Sequence, residues 1–507
     1  MLSNQKELFE SATGLSLSYQ QRIAALANDA IRLQDPRELL NYTQQDWDFI
    51  QNGMLCDLNE GYLLHSPRYV VPDYEVMIKK GCDFLDITPP KDLDELLDDL
   101  LIMYAHVPSV TTFPVYIGNL DTLINPFLAD LSDKIAYPKI KRFLNHIDKV
   151  FTDAFVHADI GPKATRAGYL ILQAVVELEN PVPNMTFNYD EEISDEKFAL
   201  ACVDSCLRVS KPSFSNTKEY CKVVGHHAIV SCYNSLPIGG GAYGLLRYRL
   251  GTIAKAVKNL DDMTNNWLVK LGKSMNHMMD ERIKFVVEQS NFFESNFLAK
   301  EGFISKDQFT SMVAIVGLAD AVNTLLEKEG IKETFGTSKR GDEIAFAILD
   351  KIKEINDAHV APFMKRTNNR YLLHAQVGAQ IMIEDVDNTP AHRVRVGEEP
   401  ILPIHLTQAS KFYKYFDAGA GDLYPFDQTY IDYPDAVLDI IKGAFHQGTR
   451  YITTYVENSD LIRVTGYLVK KSEVEKAKKN QVVLQNTTWF GKGSEENNSV
   501  FERRVTK

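Results

Sequence analysis

Apolar residues recur at spacings of three and four through Leu93-Asp-Glu-Leu-Leu-Asp-Asp-Leu-Leu-Ile-Met-Tyr104. That period predicts an amphipathic helix. The same pattern runs over residues 138–157, and long helices are predicted over 261–290, 307–329 and 339–357. Up to about Asp159 the chain reads as mostly helical, punctuated by Pro89-Pro90 and Pro114. From Pro183 the texture changes. Pro183 to Tyr189 reads as a short strand, after which Ser194 is placed to cap a helix reaching Val209, with Asp195 and Glu196 in its first turn. Pro212 to Asn216 is extended, and Lys222 to Cys232, rich in Val, Ile and His, reads as a buried strand. It ends in a Gly-rich loop through Gly244, with a helix predicted from Leu245. Further on, Tyr371–Glu384 and Ile401–Leu406 read as extended, Pro434–His446 as a helix and Tyr451–Val456 as a strand. Asp460–Lys470 reads as a loop before a basic, helical tail. Strands interleaved with helices predict an α/β fold.

Composition narrows the setting without changing that picture. The 507 residues are 45% hydrophobic and 24% charged, the mix of an ordinary globular protein. A net charge of −13 disfavours a nucleic-acid partner. No apolar run approaches the ~18 residues of a membrane span, and the first residues lack the apolar core of a signal peptide. Six cysteines in so long a chain do not form a disulfide framework, and none follows Cys232. The expected setting is the cytoplasm.

The carboxyl-terminal third carries the first chemistry. Arg463-Val464-Thr465-Gly466-Tyr467 follows a predicted strand. Losing a Cα hydrogen leaves a planar radical, stabilised between an amide nitrogen and a carbonyl, and only glycine permits planarity and close approach. The pentapeptide resembles the Arg-Val-x-Gly-Tyr signature of glycyl radical enzymes. A second stretch is also similar to that superfamily: Pro183 to Phe187, a helix, Lys211 to Asn216, then His227-Ala-Ile-Val-Ser-Cys232. There, two strands flanking a helix lead to a strand ending in the catalytic cysteine. A third, Phe309 to Val322, resembles a helix that follows the cysteine loop. The likeness spans about residues 165 to 507 and is nearest to the short YjjI group. It implies a ten-stranded barrel of two antiparallel five-stranded half-barrels wrapped by helices. The expected division is a helical N-terminal region over 1–160, the barrel with its cysteine loop over 161–455, and a glycyl radical segment over 456–507.

By the same resemblance Gly466 stores the radical, supported by Arg463, Val464 and Tyr467, and Cys232 becomes the thiyl that attacks substrate. Taken singly, a cysteine is more often a small buried hydrophobe. That reading is kept for Cys56 and Cys82, and for Cys202 and Cys206, four apart on a helix; Cys221 is a distant second candidate. The family's dehydratases and decarboxylases have glutamate two residues after the cysteine, where this chain has Asn234, which cannot titrate. Its acyltransferases have two adjacent cysteines, where this chain has Ser231-Cys232. Its ribonucleotide reductases have a four-cysteine zinc site near the glycyl loop, and no metal site is expected here. Asn388-Thr-Pro390 and Gly421 to Phe426 nonetheless resemble the reductases' second half.

Candidate substrate contacts are Asn234, Gly240, His227, His392, Arg393 and Arg395. His226 and His227 point to opposite faces of a strand, so one at most faces the interior. Gly239-Gly-Gly241 lacks the ending of a phosphate-binding loop and reads better as a close backbone passage. The arginines suit a carboxylate or phosphate, or form a solvated basic loop. No iron–sulfur motif of a radical activase is present. The resemblance therefore implies that a separate S-adenosylmethionine-dependent iron–sulfur activating enzyme installs the oxygen-sensitive radical, and that the chain binds no cofactor. Expected partners are that enzyme and a small polar metabolite, with a homodimer left open. Two alternatives stand beside an anaerobic radical enzyme: a nucleotide or nucleoside reductase, and a non-catalytic radical-storing or binding protein.

Overall fold

The computed structural model describes residues 22, 39–57, 65–107, 115–151, 155–376, 391–395, 398–456, 459–463, 467–485 and 488. Fifteen strands run through the described residues: β1 (Leu55–Asp57), β2 (Tyr69–Val71), β3 (Tyr116–Asn119), β4 (His157–Ile160), β5 (Asn184–Tyr189), β6 (Ser213–Asn216), β7 (His227–Val230), β8 (Asn234–Pro237), β9 (Gly240–Arg249), β10 (Phe309–Val316), β11 (Leu372–Ala375), β12 (Asp422–Phe426), β13 (Tyr451–Val456), β14 (Leu461–Arg463) and β15 (Leu468–Lys470). β3, β4, β5 and β6 form a parallel series. β13 joins β6 antiparallel, and β12 lies parallel to β13. A second parallel series, β9-β10-β11, carries β1 and β2 antiparallel on β9. An isolated parallel bridge between His374 and Gly419 links β11 to the segment entering β12. Four parallel strands thus meet five of opposite direction (β9 to β13) at the β6/β13 seam. The fold is α/β, with two oppositely running strand series wrapped by helices, as the resemblance implies.

Helices cover the outside of the first series, and the strands show why. Along β5, Met185, Phe187 and Tyr189 alternate with Asn184, Thr186 and Asn188. Successive strand residues face opposite ways. Phe187 meets Phe198 of the Glu196–Val209 helix edge to face, ring centres 5.4 Å apart. The polar set faces inward, where Thr186 meets Tyr451, and Asn188 meets Ser215. The apolar face packs outward and the polar face lines the interior, the reverse of an ordinary two-layer sheet.

Several predicted elements hold: strands over β5, β6 and β13, and helices over Leu93–His106, Asp133–Val150, Lys339–Ala358 and Pro434–His446. The described residues among the first 160 are mainly helical, yet they also supply β1 to β4. Asp195, not Ser194, caps the helix to Val209, while the Ser194 hydroxyl accepts from the Asp190 amide. Lys222–Cys232 is not one strand: a Thr217–Val224 helix stops at Gly225 (φ +68°) before β7 begins. The helix predicted over 307–329, and the likeness of Phe309–Val322 to a helix, give way to β10 followed by a Leu318–Lys328 helix. All eight β10 residues are buried, and a continuous apolar run suits a central parallel strand as well as a buried helix. The segment from Leu245 is strand β9 rather than helix. A Cβ on Gly240 would stand 2.1 Å from the Gln308 carbonyl oxygen, and one on Gly241 2.0 Å from that of Tyr69. The glycine run is therefore what lets β9 pass between β2 and the start of β10. Ile401–Leu406 lies mostly in a Leu402–Ser410 helix with Pro403 in its first turn. Asp460–Lys470 holds the β14–β15 hairpin, followed by the Lys471–Lys478 helix.

Candidate active site

Among the described residues β7 and β8 pair only with each other, forming a hairpin whose turn is Ser231-Cys232-Tyr233. Ser231 is left-handed (φ +62°), a conformation costing about 1–2 kcal/mol for a residue with a Cβ. Cys232 is 9% exposed, packed with Tyr220, Ile229, Tyr233 and Tyr451. Its Sγ lies 3.7 Å from Ser231 Oγ.

The hairpin is suspended between the two strand series. On one side inward side chains of β4 and β5 hold its backbone. Asp159 Oδ2 accepts from the Ile229 amide (3.0 Å), and His157 Nδ1 and Asn184 Nδ2 both donate to the Ser231 carbonyl (2.8 and 3.2 Å). On the other side the Ser235 amide donates to the Ala418 carbonyl and the Tyr233 hydroxyl to the Ala375 carbonyl, each 2.8 Å. Two glycines let this side close up. A Cβ on Gly419 (φ +137°) would stand 2.2 Å from the Tyr233 carbonyl oxygen, and one on Gly421 2.6 Å from the Tyr233 ring.

Burial fixes the protonation of the suspension. It pushes the His157 pKa down to about 3, so the ring is neutral. The Ser231 carbonyl only accepts, so His157 carries its proton on Nδ1 and presents a lone pair on Nε2. Thr186 Oγ1, 2.7 Å away, donates to that lone pair and accepts from the Tyr451 hydroxyl at 3.1 Å. Burial also pushes the Asp159 pKa up to about 8, against the opposing pull of the Ile229 amide. Asp159 therefore keeps a proton at neutral pH.

Arg463 approaches the same place from the C-terminal hairpin. Fully buried, it donates from its guanidinium to Asn184 Oδ1 (3.2 Å) and to the Ser210 carbonyl (2.6 Å). Tyr467 is buried against Phe155, ring centres 4.6 Å apart. Val464 and Gly466 lie outside the described residues.

The remaining candidates scatter. Asn234 lies on β8, its Nδ2 donating to the Val230 carbonyl (3.1 Å). His227 Nδ1 donates to the Gly225 carbonyl (3.1 Å), and burial lowers its pKa to about 4. Gly240 belongs to the β9 crossing. Arg393 bridges Asp422 (3.1 Å) and Glu399 (2.7 Å), and His405 meets Asp422 at 2.8 Å. Burial alone would raise the Asp422 pKa, but the Arg393 guanidinium, helped by the His405 hydrogen bond, overcomes it and holds the carboxylate ionised. His392 is buried beside Tyr413, its pKa pushed down to about 4. Arg395 is half exposed and pairs with Asp320 at 2.7 Å. Sequence reasoning missed His157, Asp159, Asn184, Thr186 and Tyr451. The signal was there in the alternation of His-x-Asp over 157–159 and Asn-x-Thr-x-Asn over 184–188.

Solved structures share this architecture. The anaerobic ribonucleotide reductase of Thermotoga maritima superposes with a TM-score of 0.73 at 11% identity, over 96% of this chain and 94% of its own. Hydroxyproline dehydratase of Clostridioides difficile superposes with a TM-score of 0.63 at 13% identity, over 96% and 88%. These likenesses define the fold class, the α/β architecture that those two enzymes share. The family follows from sequence. The model for "Glycyl radical enzyme YjjI-like" matches residues 17–506. An uncharacterized protein of Haemophilus influenzae is 58% identical over 506 residues, 100% of this chain and 98% of its own. Escherichia coli YjjI is 37% identical over 457 residues, 90% and 87%. The chain belongs to the YjjI-like family of glycyl radical enzymes. No helix among the described residues is long and apolar enough to cross a membrane.

Proposed function

We propose that this enzyme carries its stored radical on Gly466 and attacks its substrate with a thiyl radical on Cys232. A separate S-adenosylmethionine-dependent iron–sulfur enzyme installs the radical, in the cytoplasm and without oxygen. The observation that carries this reading is the hairpin tip. Cys232 stands on a strained turn held from both strand series, and Asn184 hydrogen-bonds both that turn and Arg463, three residues before Gly466.

The chemistry balances as two hydrogen transfers. The glycyl Cα takes a hydrogen atom from the Cys232 thiol, leaving glycine and a thiyl radical. The thiyl then takes a hydrogen atom from a substrate C–H bond, leaving thiol and a carbon radical. Near-equal S–H and Cα–H bond strengths make the first transfer reversible. The inward polar faces of β4, β5 and β6 favour a small, polar, hydroxyl- or amide-bearing metabolite. Asn234 and His227, on the hairpin itself, are the substrate contacts we retain. Arg393 and Arg395, already paired with protein carboxylates, we leave out.

Electron paramagnetic resonance on anaerobically activated protein tests the reading. The wild type should give a doublet from one α-hydrogen, and Gly466→Ala none. Cys232→Ala should keep the doublet, while the metabolite turnover found by profiling activated against unactivated protein disappears. Turnover surviving in Cys232→Ala would refute the thiyl assignment.

A further inference from the structure

One side chain touches both chemical loops. Asn184, fully buried at the start of β5, accepts on Oδ1 from the Arg463 guanidinium (3.2 Å) and from the Met185 amide (3.0 Å). On Nδ2 it donates to the Ser231 carbonyl (3.2 Å), beside Cys232, and lies 3.3 Å from His157 Nδ1. Two donors on one end and a carbonyl on the other fix which way the amide faces. A planar group with an acceptor at one end and a donor at the other suits this place. One end takes the loop that leads to the glycine, the other the loop that presents the thiol.

We propose that Asn184 is a positioning residue for hydrogen transfer between Cys232 and Gly466, an inference that rests on the thiyl–glycyl reading above. Such transfer demands close, aligned atoms, and a misplacement near 1 Å costs about 100-fold. Each loop leans on Asn184 within three residues of its reacting atom, so losing either hydrogen bond lets the thiol and the Cα drift apart. Asn184→Asp keeps the acceptor for Arg463 at equal size but cannot donate to Ser231 while ionised. Asn184→Ala removes both bonds.

The test needs no substrate. A thiol hydrogen exchanges with solvent, so reversible transfer in deuterium oxide replaces the glycyl α-hydrogen and collapses the resonance doublet towards a singlet. Wild-type protein should collapse, and Cys232→Ala should keep its doublet. Asn184→Asp and Asn184→Ala should accumulate the wild-type amount of radical and collapse at least about tenfold more slowly. Asn356→Ala, which loses a buried amide bond to the Tyr371 carbonyl (2.8 Å) remote from both loops, should collapse like the wild type. If Asn184→Ala does not fold, Asn184→Asp carries the test. Wild-type collapse in the Asn184 variants, or equal slowing in Asn356→Ala, would overturn the inference. So would a folded Asn184→Asp that never accumulates the radical, since the amide would then serve its installation. A doublet that collapses in Cys232→Ala, or no signal in any protein, defeats the underlying reading instead, and the inference with it.

Discussion

Asp159 holds a proton that its unfolded counterpart surrenders near pH 4. The native carboxyl keeps it to about pH 8 because burial outweighs the hydrogen bonds it accepts. Between those limits unfolding releases a proton, so stability falls as pH rises. Asp159→Asn keeps an acceptor for the Ile229 amide and removes the titration. Its stability relative to the wild type should therefore climb with pH from about 4 to 8, by at most about 1.4 kcal/mol per unit. Urea unfolding across that range reads the slope, and a flat difference would place the proton elsewhere. Cys232, Arg463 and Tyr467 were legible because a motif names them. Asp159, His157 and Asn184 were not, because each acts through a backbone group 47 to 74 residues away. Their alternation marks a face of a strand, but what that face meets is decided by folding.

The hairpin carrying Cys232 depends on small residues across from it. Gly419 combines a left-handed backbone with a Tyr233 carbonyl that a Cβ would strike. Gly419→Ala should destabilise the protein by roughly 2–4 kcal/mol, the sum of overpacking and backbone strain. Chemical denaturation measures this, and a loss under about 1 kcal/mol would mean the hairpin yields freely. Amphipathic helices were readable in the sequence from their period, as in Leu93–His106. β9 and β10 were not. Buried on both faces, they lack the alternation that distinguishes a strand, and Gly239-Gly-Gly241 imitates a loop while serving a strand crossing.

At the scale of the molecule, the proposed function requires the C-terminal segment to open towards the activating enzyme. Among the described residues β14 and β15 pair with each other and with neither strand series, so their departure would tear no ladder. Besides Arg463, the segment is tied by Gln485, whose amide donates to the Asp148 backbone carbonyl (3.1 Å) and carboxylate (3.3 Å). Gln485→Ala should loosen it by about 1–2 kcal/mol, raising the open population on the order of tenfold. Radical should then accumulate faster with the activating enzyme, and limited proteolysis should cut the C-terminal segment sooner. Unchanged rates of both would place the restraint elsewhere. The two strand series were readable only through resemblance, since helix and strand periods do not say which strands become neighbours.

The suspension of the hairpin has one more consequence. A cysteine fixed within a ladder would owe its place to the register of a whole sheet, where a slip of one residue turns every side chain over. Here three side chains, at 157, 159 and 184, take the place of a neighbouring strand on that side. Each is a separate letter of the gene. Evolution, or a designer, can shift the aim of the Cys232 sulfur by one such letter while the surrounding architecture is inherited whole.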